Sequence, residues 1–98
     1  MIYPKEKWAI TKIANSAAKN IKGLDIAFQE KVMTTLECLQ RDPYGGDIKK
    51  VRGKKDIYRL RLENFRCYYR VLSKQREIQV LLFDERGSIK DKVIHRLR

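Results

Sequence analysis

The chain has 98 residues, of which 43% are hydrophobic, so length and composition predict one domain, 1–98, with one modest core. The longest apolar run, Val80-Leu81-Leu82-Phe83, is far shorter than the roughly 20 residues that span a bilayer. Residues 1–7 carry charge and no apolar segment, so no signal peptide is expected. Two cysteines are too few for a disulfide scaffold and lack metal-ligand spacing. We therefore expect a cytoplasmic protein with no metal, no cofactor and no membrane contact.

The positive charge is concentrated in the second half of the chain. In total 23 Lys and Arg stand against 12 Asp and Glu, a net charge of +11. Residues 1–42 hold seven basic and five acidic residues, a net of +2, whereas residues 43–98 hold sixteen and seven, a net of +9. Such asymmetry favours contact with phosphate groups of nucleic acid. The alternative is a surface charged only for solubility.

The first half of the chain predicts a strand and a helical hairpin. Residues 8–13 are short, partly alternating and β-branched, which is typical of a strand. Asn15 or Ser16 can cap a short helix that ends near Gly23. Asp25 precedes a longer helix, which ends at the turn signal of residues 42–46. Apolar residues recur along one face of this helix: Leu24, Phe28, Val32, Leu36 and Leu39.

After the turn the hydrophobic period changes to two, which predicts strands. Residues 56–63 and 65–71 alternate and are joined by a link short enough for a hairpin. A third strand, residues 77–83, is more evenly apolar, so we expect it to be the central or most buried of the three. Residues 88–98 have helical spacing. The predicted class is α+β: a strand, a helical hairpin and a three-stranded antiparallel meander in a twisted sheet, with the helices on one face and a short C-terminal helix.

The alternation separates an apolar face from a basic one. Tyr58, Leu60 and Leu62 point to one side of the sheet, as do Phe65, Cys67, Tyr69 and Val71. The opposite, open face then carries Arg59, Arg61, Glu63, Arg66, Tyr68 and Arg70, and Arg86 follows the third strand. Clustered arginines repel one another unless an anion is present, and their donor forks suit phosphate. Alternatively, some pair with Glu63, Glu77 or Asp84 across strands.

A basic segment leads into the first strand of the meander. It contributes Lys49, Lys50, Arg52, Lys54 and Lys55, which we expect to form a loop. Beside an arginine-rich face, such a loop can contact the phosphate backbone of RNA. His95 is the single histidine and is either a surface residue or a proton-transfer group. Cys38 and Cys67 fall on predicted apolar faces.

Three segments together resemble the RelE/ParE superfamily of bacterial and archaeal toxins. They are Asp42-Pro43, then Lys50-Val51-Arg52-Gly53-Lys54-Lys55-Asp56-Ile57-Tyr58-Arg59-Leu60-Arg61, then Asn64-Phe65-Arg66-Cys67-Tyr68-Tyr69-Arg70-Val71. Members show a leucine-lysine-glycine step, an aromatic-Arg-x-Arg strand, a tight hairpin and a Tyr-Arg-x-x-Tyr strand. The resemblance covers essentially the whole chain. One branch cleaves mRNA in the ribosomal A site, and the other inhibits DNA gyrase.

The resemblance implies a basic catalytic set. The RelE branch has two basic residues on the second strand, a hairpin arginine and an arginine beyond the last strand. These positions match Arg59, Arg61, Arg66 and Arg86, which favours the ribonuclease branch. The chain departs from the family in having arginines where lysines are common, and Ile94 next to His95 where a C-terminal tyrosine is common.

The expected function is therefore a type II toxin that is a ribosome-dependent endoribonuclease. The 2′-hydroxyl of RNA attacks the adjacent phosphate, and arginine cannot serve as the base because it stays protonated. Candidates for the base are Lys54, Lys55, His95 and Glu63, whereas Lys49, Lys50, Arg52, Tyr68 and Arg70 are expected to bind RNA. The expected partners are an acidic antitoxin, the ribosome and mRNA. The alternatives are a gyrase inhibitor without nuclease activity and an inactive basic binding module.

Overall fold

The computed structural model describes residues 8–85, which form two helices and a mixed five-stranded sheet. The elements are β1 (Ala9–Ile13), α1 (Asn15–Lys22), α2 (Ile26–Arg41), β2 (Ile48–Lys50), β3 (Ile57–Leu62), β4 (Phe65–Leu72) and β5 (Glu77–Glu85). The strand order is β1-β5-β4-β3-β2, with β1 parallel to β5 and the other pairs antiparallel. The predicted α+β class is confirmed. The helix predicted over residues 88–98 lies outside the described residues.

The two helices start in different ways. At α2 the Asp25 carboxylate accepts a hydrogen bond from the Phe28 backbone N–H at 2.8 Å, so the predicted N-cap is confirmed. At α1 the N-cap is Ala14, not Asn15 or Ser16, and no side chain caps the helix. Instead, Asn20 donates from Nδ2 to the Phe83 carbonyl at 2.6 Å, which fastens α1 to β5. Neither helix is long and apolar enough to cross a membrane.

One hydrophobic core lies between the helices and one face of the sheet. Its buried members from the helices are Ala17, Val32, Leu36 and Leu39, and from the strands Leu60, Cys67, Tyr69, Val71, Ile78, Val80 and Phe83. Leu24, Phe28, Tyr58, Leu62 and Phe65 pack against it and are partly buried. The apolar faces predicted for α2, β3 and β4 are therefore confirmed, but the placement of Cys38 on the apolar face of α2 is wrong, because Cys38 is exposed. Because side chains alternate along a strand, the arginines of β3 and β4 must lie on the other face.

Two details of the sheet differ from the sequence prediction. Residues 48–50, expected within a basic loop, form the edge strand β2, which pairs with β3. The central strand is β4, not β5, because β2 extends the sheet at one edge and β1 at the other. Three consecutive β4 residues, Cys67, Tyr68 and Tyr69, are buried, so β4 is covered on both faces. The sequence predicted β4 to be more exposed than β5 because β4 contains Arg66 and Arg70.

Candidate functional site

The face of the sheet opposite the helices carries the arginines that the sequence placed together. We call it the arginine face and define it by Arg59 and Arg61 on β3 and Arg66 and Arg70 on β4. In the β3–β4 register, Arg61 lies opposite Arg66 and Arg59 lies opposite Tyr68. Directly opposed residues have Cβ atoms about 4.5–5.5 Å apart, so these side chains are within reach of one shared anion.

One row of side chains crosses the sheet on this face, and we call it the first row. It consists of Asp47, just before β2, Arg61 on β3, Arg66 on β4 and Asp84 on β5. Arg66 lies opposite Arg61 on one side and opposite Asp84 of β5 on the other. Arg61 donates from Nε to Asp47 Oδ2 at 3.2 Å, and both side chains are 55% exposed. Arg66 makes no ion pair with any residue of 8–85, and its Nε is buried without a hydrogen-bond partner. In this row, which consists of Asp47, Arg61, Arg66 and Asp84, the Arg61 guanidinium forms an ion pair. The Arg66 guanidinium has no ion-pair partner among the described residues.

The second row lies two residues along the strands and contains no acid. It comprises Lys49 on β2, Arg59 on β3, Tyr68 on β4 and Leu82 on β5, each opposite the next. A concavity of about 240 Å³ opens beside it and is lined by Lys49, Lys50, Val51, Arg52, Arg59 and Tyr68. Among the described residues Arg59 has no ion-pair partner. Four cations and no carboxylate therefore line this concavity. Asp47 lies with Lys49, Arg59 and Arg61 around a smaller neighbouring concavity of about 60 Å³.

Part of the arginine face is buried, although the sequence predicted an open surface. Tyr68 points to this face but is only 2% exposed, and Ile57, opposite Arg70, is completely buried. Neither residue belongs to the core under the helices. Arg70 also has one buried guanidinium nitrogen, Nη2, with no hydrogen-bond partner. The accessible part of the face is therefore narrower than expected and centres on Arg59, Arg61 and Arg66.

The acids expected to pair with the arginines do not do so within residues 8–85. Glu63 forms an ion pair with Lys31 of α2 and thus lies on the helix side, not on the arginine face as predicted. It occupies the tight β3–β4 turn with φ 53°, and this left-handed conformation takes it out of the strand alternation. Glu77 accepts a hydrogen bond from Thr11 Oγ1 at 3.3 Å, at the β1 edge. Glu63 is therefore poorly placed to act as a base.

The loop between β2 and β3 divides the basic segment into two groups. Lys49 and Lys50 belong to β2 and, with Arg52, line the concavity beside Arg59. Lys54 and Lys55 line a larger adjoining concavity of about 520 Å³, which shares Lys50, Val51 and Arg52 with the smaller one. Of the four residues that define the arginine face, Arg59 lines the smaller concavity and none lines the larger one. The structure thus brings Lys49, Lys50 and Arg52 to Arg59, but not Lys54 or Lys55.

Aromatic residues under the sheet hold the turn that leads into β2. The Tyr69 hydroxyl donates to the Pro43 carbonyl at 2.6 Å in a buried hydrogen bond. Tyr58 stacks on Tyr69 with ring centroids 6.0 Å apart and meets Tyr44 edge-on at 5.3 Å. Burial raises the pKa of Tyr69 well above its ordinary value, so its hydroxyl stays protonated and able to donate. These contacts fix the segment that carries Asp47 and Lys49.

Comparison with solved structures identifies this arrangement of helices and strands. The chain is similar to a chain of the archaeal RelE–RelB complex from Pyrococcus horikoshii OT3, with 26% identity and a TM-score of 0.72 over 85% of this chain and 99% of that one. The fold of the RelE toxin from E. coli is also similar, with 18% identity and a TM-score of 0.68 over 94% and 99% of the two chains. The chain has the RelE fold and falls in the RelE-like toxin superfamily.

A third structure, the RelB–RelE antitoxin–toxin complex from Methanococcus jannaschii, has 20% identity and a TM-score of 0.61 over 87% of this chain and 95% of that one. No protein-family model and no curated protein matches the sequence. The RelE relationship therefore rests on three-dimensional similarity, which agrees with the motif resemblance of the strands.

The arginine face has two acids beside it that sequence reasoning did not assign to the site. Asp47 holds Arg61, and Asp84 stands opposite Arg66. Asp47 was missed because β2 has only three residues, one of them apolar, and gives no strand signal. Asp84 was considered only as an ion-pair partner. Strict alternation from the core residues Ile78 and Val80 would put it on the helix side, but a register shift in β5 places it opposite Arg66. Arg86 and His95, two further candidates, lie outside residues 8–85.

Proposed function

We propose that this RelE-like chain is the toxin of a type II toxin–antitoxin system and a ribosome-dependent endoribonuclease that cleaves mRNA. Its fold is shared with an isolated RelE toxin and with RelE–RelB complexes, which supports the toxin role and an antitoxin partner. The net charge of +11 suits an RNA substrate and an acidic antitoxin. Ribosome and mRNA as partners follow from the nuclease proposal.

The observation that carries the proposal is the opposition of Arg61 and Arg66 on an accessible face. Two like charges directly across a β ladder are unfavourable unless an anion lies between them. The Nε of Arg66 is buried and has no hydrogen-bond acceptor among the described residues. A phosphoryl group supplies acceptor oxygens and negative charge to both guanidinium groups.

This geometry suits cleavage by the 2′-hydroxyl of the substrate itself. The hydroxyl loses its proton and bonds to the adjacent phosphorus, the bond to the 5′-oxygen breaks, and that oxygen gains a proton. The products are a 2′,3′-cyclic phosphate and a 5′-hydroxyl. Arg61 and Arg66 would stabilise the extra negative charge on the phosphoryl oxygens, where loss of one preorganised donor costs about 10²–10³-fold in rate.

The group that removes the proton of the 2′-hydroxyl must be able to accept it, and arginine cannot because it stays protonated at any working pH. Asp84 is the described carboxylate whose register position is opposite Arg66, and no described residue pairs with it as an ion. We assign the base role to Asp84, with Lys54, Lys55 and His95 as the candidates that the sequence also offers. Arg86 remains the candidate for the leaving 5′-oxygen, in line with the family pattern.

The ribosome would supply what the free site lacks, which is a substrate held for in-line attack. Two arginines on an open sheet stabilise charge but do not orient a flexible strand, and orientation alone can contribute about 7–11 kcal/mol to a barrier. We therefore expect little cleavage of naked RNA.

Controlled expression in growing bacteria, with separate assays of protein synthesis and plasmid supercoiling, tests the proposal. Growth arrest with loss of translation and cleaved mRNA is the expected result. Arrest with altered supercoiling and intact mRNA would instead identify a gyrase inhibitor. Unimpaired growth would leave only a binding role.

A further inference from the structure

The two rows of the arginine face differ in their charge balance. The row of Arg61 and Arg66 has a carboxylate at each end, Asp47 and Asp84. The neighbouring row of Lys49, Arg59 and Tyr68 has none. An anion that approaches the second row meets no competing carboxylate within it. The second row thus has the larger excess of positive charge, although Asp47 also lies close to Lys49 and Arg59, and it is not the row assigned to cleavage.

The concavity beside the second row concentrates positive charge. Of its six lining residues four are cations, and Lys49 lies directly opposite Arg59 in the β2–β3 register. Like charges in directly opposed positions destabilise a ladder, and a bound phosphate relieves that repulsion. Arginine in addition offers a planar fork of N–H donors that matches two phosphate oxygens.

The walls of this concavity are fixed by the fold. Tyr68 is 2% exposed and forms a buried aromatic part of the lining. The loop that carries Arg52 is fastened where Val51 N–H donates to the Ile57 carbonyl at 2.9 Å. Gly53 adopts φ 77°, a conformation that side chains disfavour, and so allows the loop to turn there. A rigid cationic site loses little entropy when a phosphate binds.

The distance between the rows matches one step along a nucleic-acid strand. Residues i and i+2 of a strand are about 6.6–6.8 Å apart, and this separates Arg59 from Arg61 and Tyr68 from Arg66. Successive phosphates of an extended single strand can follow such a spacing. We propose that the concavity of Lys49, Arg52, Arg59 and Tyr68 holds the phosphate next to the one that is cleaved. This inference rests on the proposed function, since it names a second position on the same RNA.

Binding of a 2′-deoxy tetranucleotide to the purified protein tests this site without cleavage, because the probe has no 2′-hydroxyl. The measurement is the slope of log affinity against log salt concentration for the wild type, Lys49→Gln, Arg52→Gln and Lys74→Gln. Lys74 is an exposed lysine in the β4–β5 turn and does not line the concavity, so Lys74→Gln removes the same charge elsewhere. Circular dichroism verifies that each variant is folded.

We expect Lys49→Gln and Arg52→Gln each to weaken binding and to reduce the slope by about 0.7, the value for one lost contact to a single strand. Lys74→Gln should leave the slope unchanged. Equal slopes for Lys49→Gln, Arg52→Gln and Lys74→Gln would overturn the second phosphate site. That failure is separable from failure of the proposed function, since wild-type cleavage of ribosome-bound mRNA is measured independently and does not depend on the tetranucleotide result.

Discussion

Arg61 and Arg66 lie directly opposite each other across β3 and β4, and only Arg61 has an acidic partner among the described residues, Asp47. The arrangement serves anion binding better than stability, because two like charges face each other and Arg66 Nε is buried without a partner. Sites that bind charged ligands commonly lower the stability of the free protein in this way. A substitution that abolishes binding can then raise the stability.

Arg66→Met should therefore keep or slightly raise the free energy of unfolding, by up to about 1 kcal/mol, while it removes cleavage. Methionine retains the length of the side chain and its apolar packing but has no donor left unsatisfied. Urea denaturation followed by circular dichroism measures the effect. A loss of more than about 1 kcal/mol would mean that Arg66 makes a stabilising contact in the free protein.

Replacement of the two carboxylates of the first row should affect cleavage differently. Asp84→Asn should slow cleavage of ribosome-bound mRNA by about 10²-fold or more, since an amide cannot accept the proton of the 2′-hydroxyl. Asp47→Asn should not slow it, because its role is to hold Arg61 until an anion arrives. Single-turnover rates for both variants decide the matter, and equal rates for wild type and Asp84→Asn would exclude Asp84 as the base.

Asp47→Asn should also strengthen binding of a short oligonucleotide. The Asp47–Arg61 pair is exposed at both side chains, so its loss should change stability by no more than about 1 kcal/mol. The freed Arg61 then adds one cation to the face. Fluorescence anisotropy at fixed salt checks this, with Glu37→Gln on the exposed surface of α2 as a control of equal charge. Identical gains in the two variants would show a general charge effect.

Leu60→Asp should unfold the protein, whereas the adjacent Arg61→Asp should not. Leu60 is 8% exposed and belongs to the core, so a carboxylate there loses its hydration without gaining a partner, at a cost of several kcal/mol. Arg61, on the other side of β3, is exposed. Thermal unfolding of both variants tests the strand register. A cooperatively folded Leu60→Asp protein would contradict it.

The two cysteines should differ in reactivity. Cys38 is exposed on α2, whereas Cys67 is buried and its pKa is raised by burial from 9.0 to about 12. A thiol reagent at pH 8 should therefore modify Cys38 alone in the folded protein and both residues in urea. The neutral Cys67 thiol also implies that its contribution to stability is complete below about pH 9 and is lost as the pH rises toward 12. Rapid native modification of Cys67 would contradict its burial.

The sequence predicted those parts of the fold that depend on local periodicity and caps. The alternation of Leu60 and Cys67 with Arg61 and Arg66 was sufficient to assign the two faces of β3 and β4. The Asp25 cap was likewise legible because its hydrogen bond is local. The parallel pairing of β1 with β5 was not predictable in this way, since it joins residues far apart in the chain.

The errors arose where a neighbouring strand changes the environment of a residue. Tyr68 was expected to be exposed because it alternates with core residues, but Arg59 and Leu82 flank it on both sides and it is buried. Glu63 was assigned to the wrong face because its positive φ breaks the alternation. The contact of Asp47 with Arg61 required the β2 strand, for which three residues give too little pattern.

The most direct test of the central claim is single-turnover cleavage of mRNA on programmed ribosomes by the wild type, Arg66→Ala and Lys74→Ala. We predict cleavage in the A-site codon by the wild type and Lys74→Ala, and a rate at least about 10²-fold lower for Arg66→Ala, with ribosome binding retained. Cleavage by Arg66→Ala at the wild-type rate, or no cleavage by the wild type, would contradict the assignment of the arginine face as a ribonuclease site.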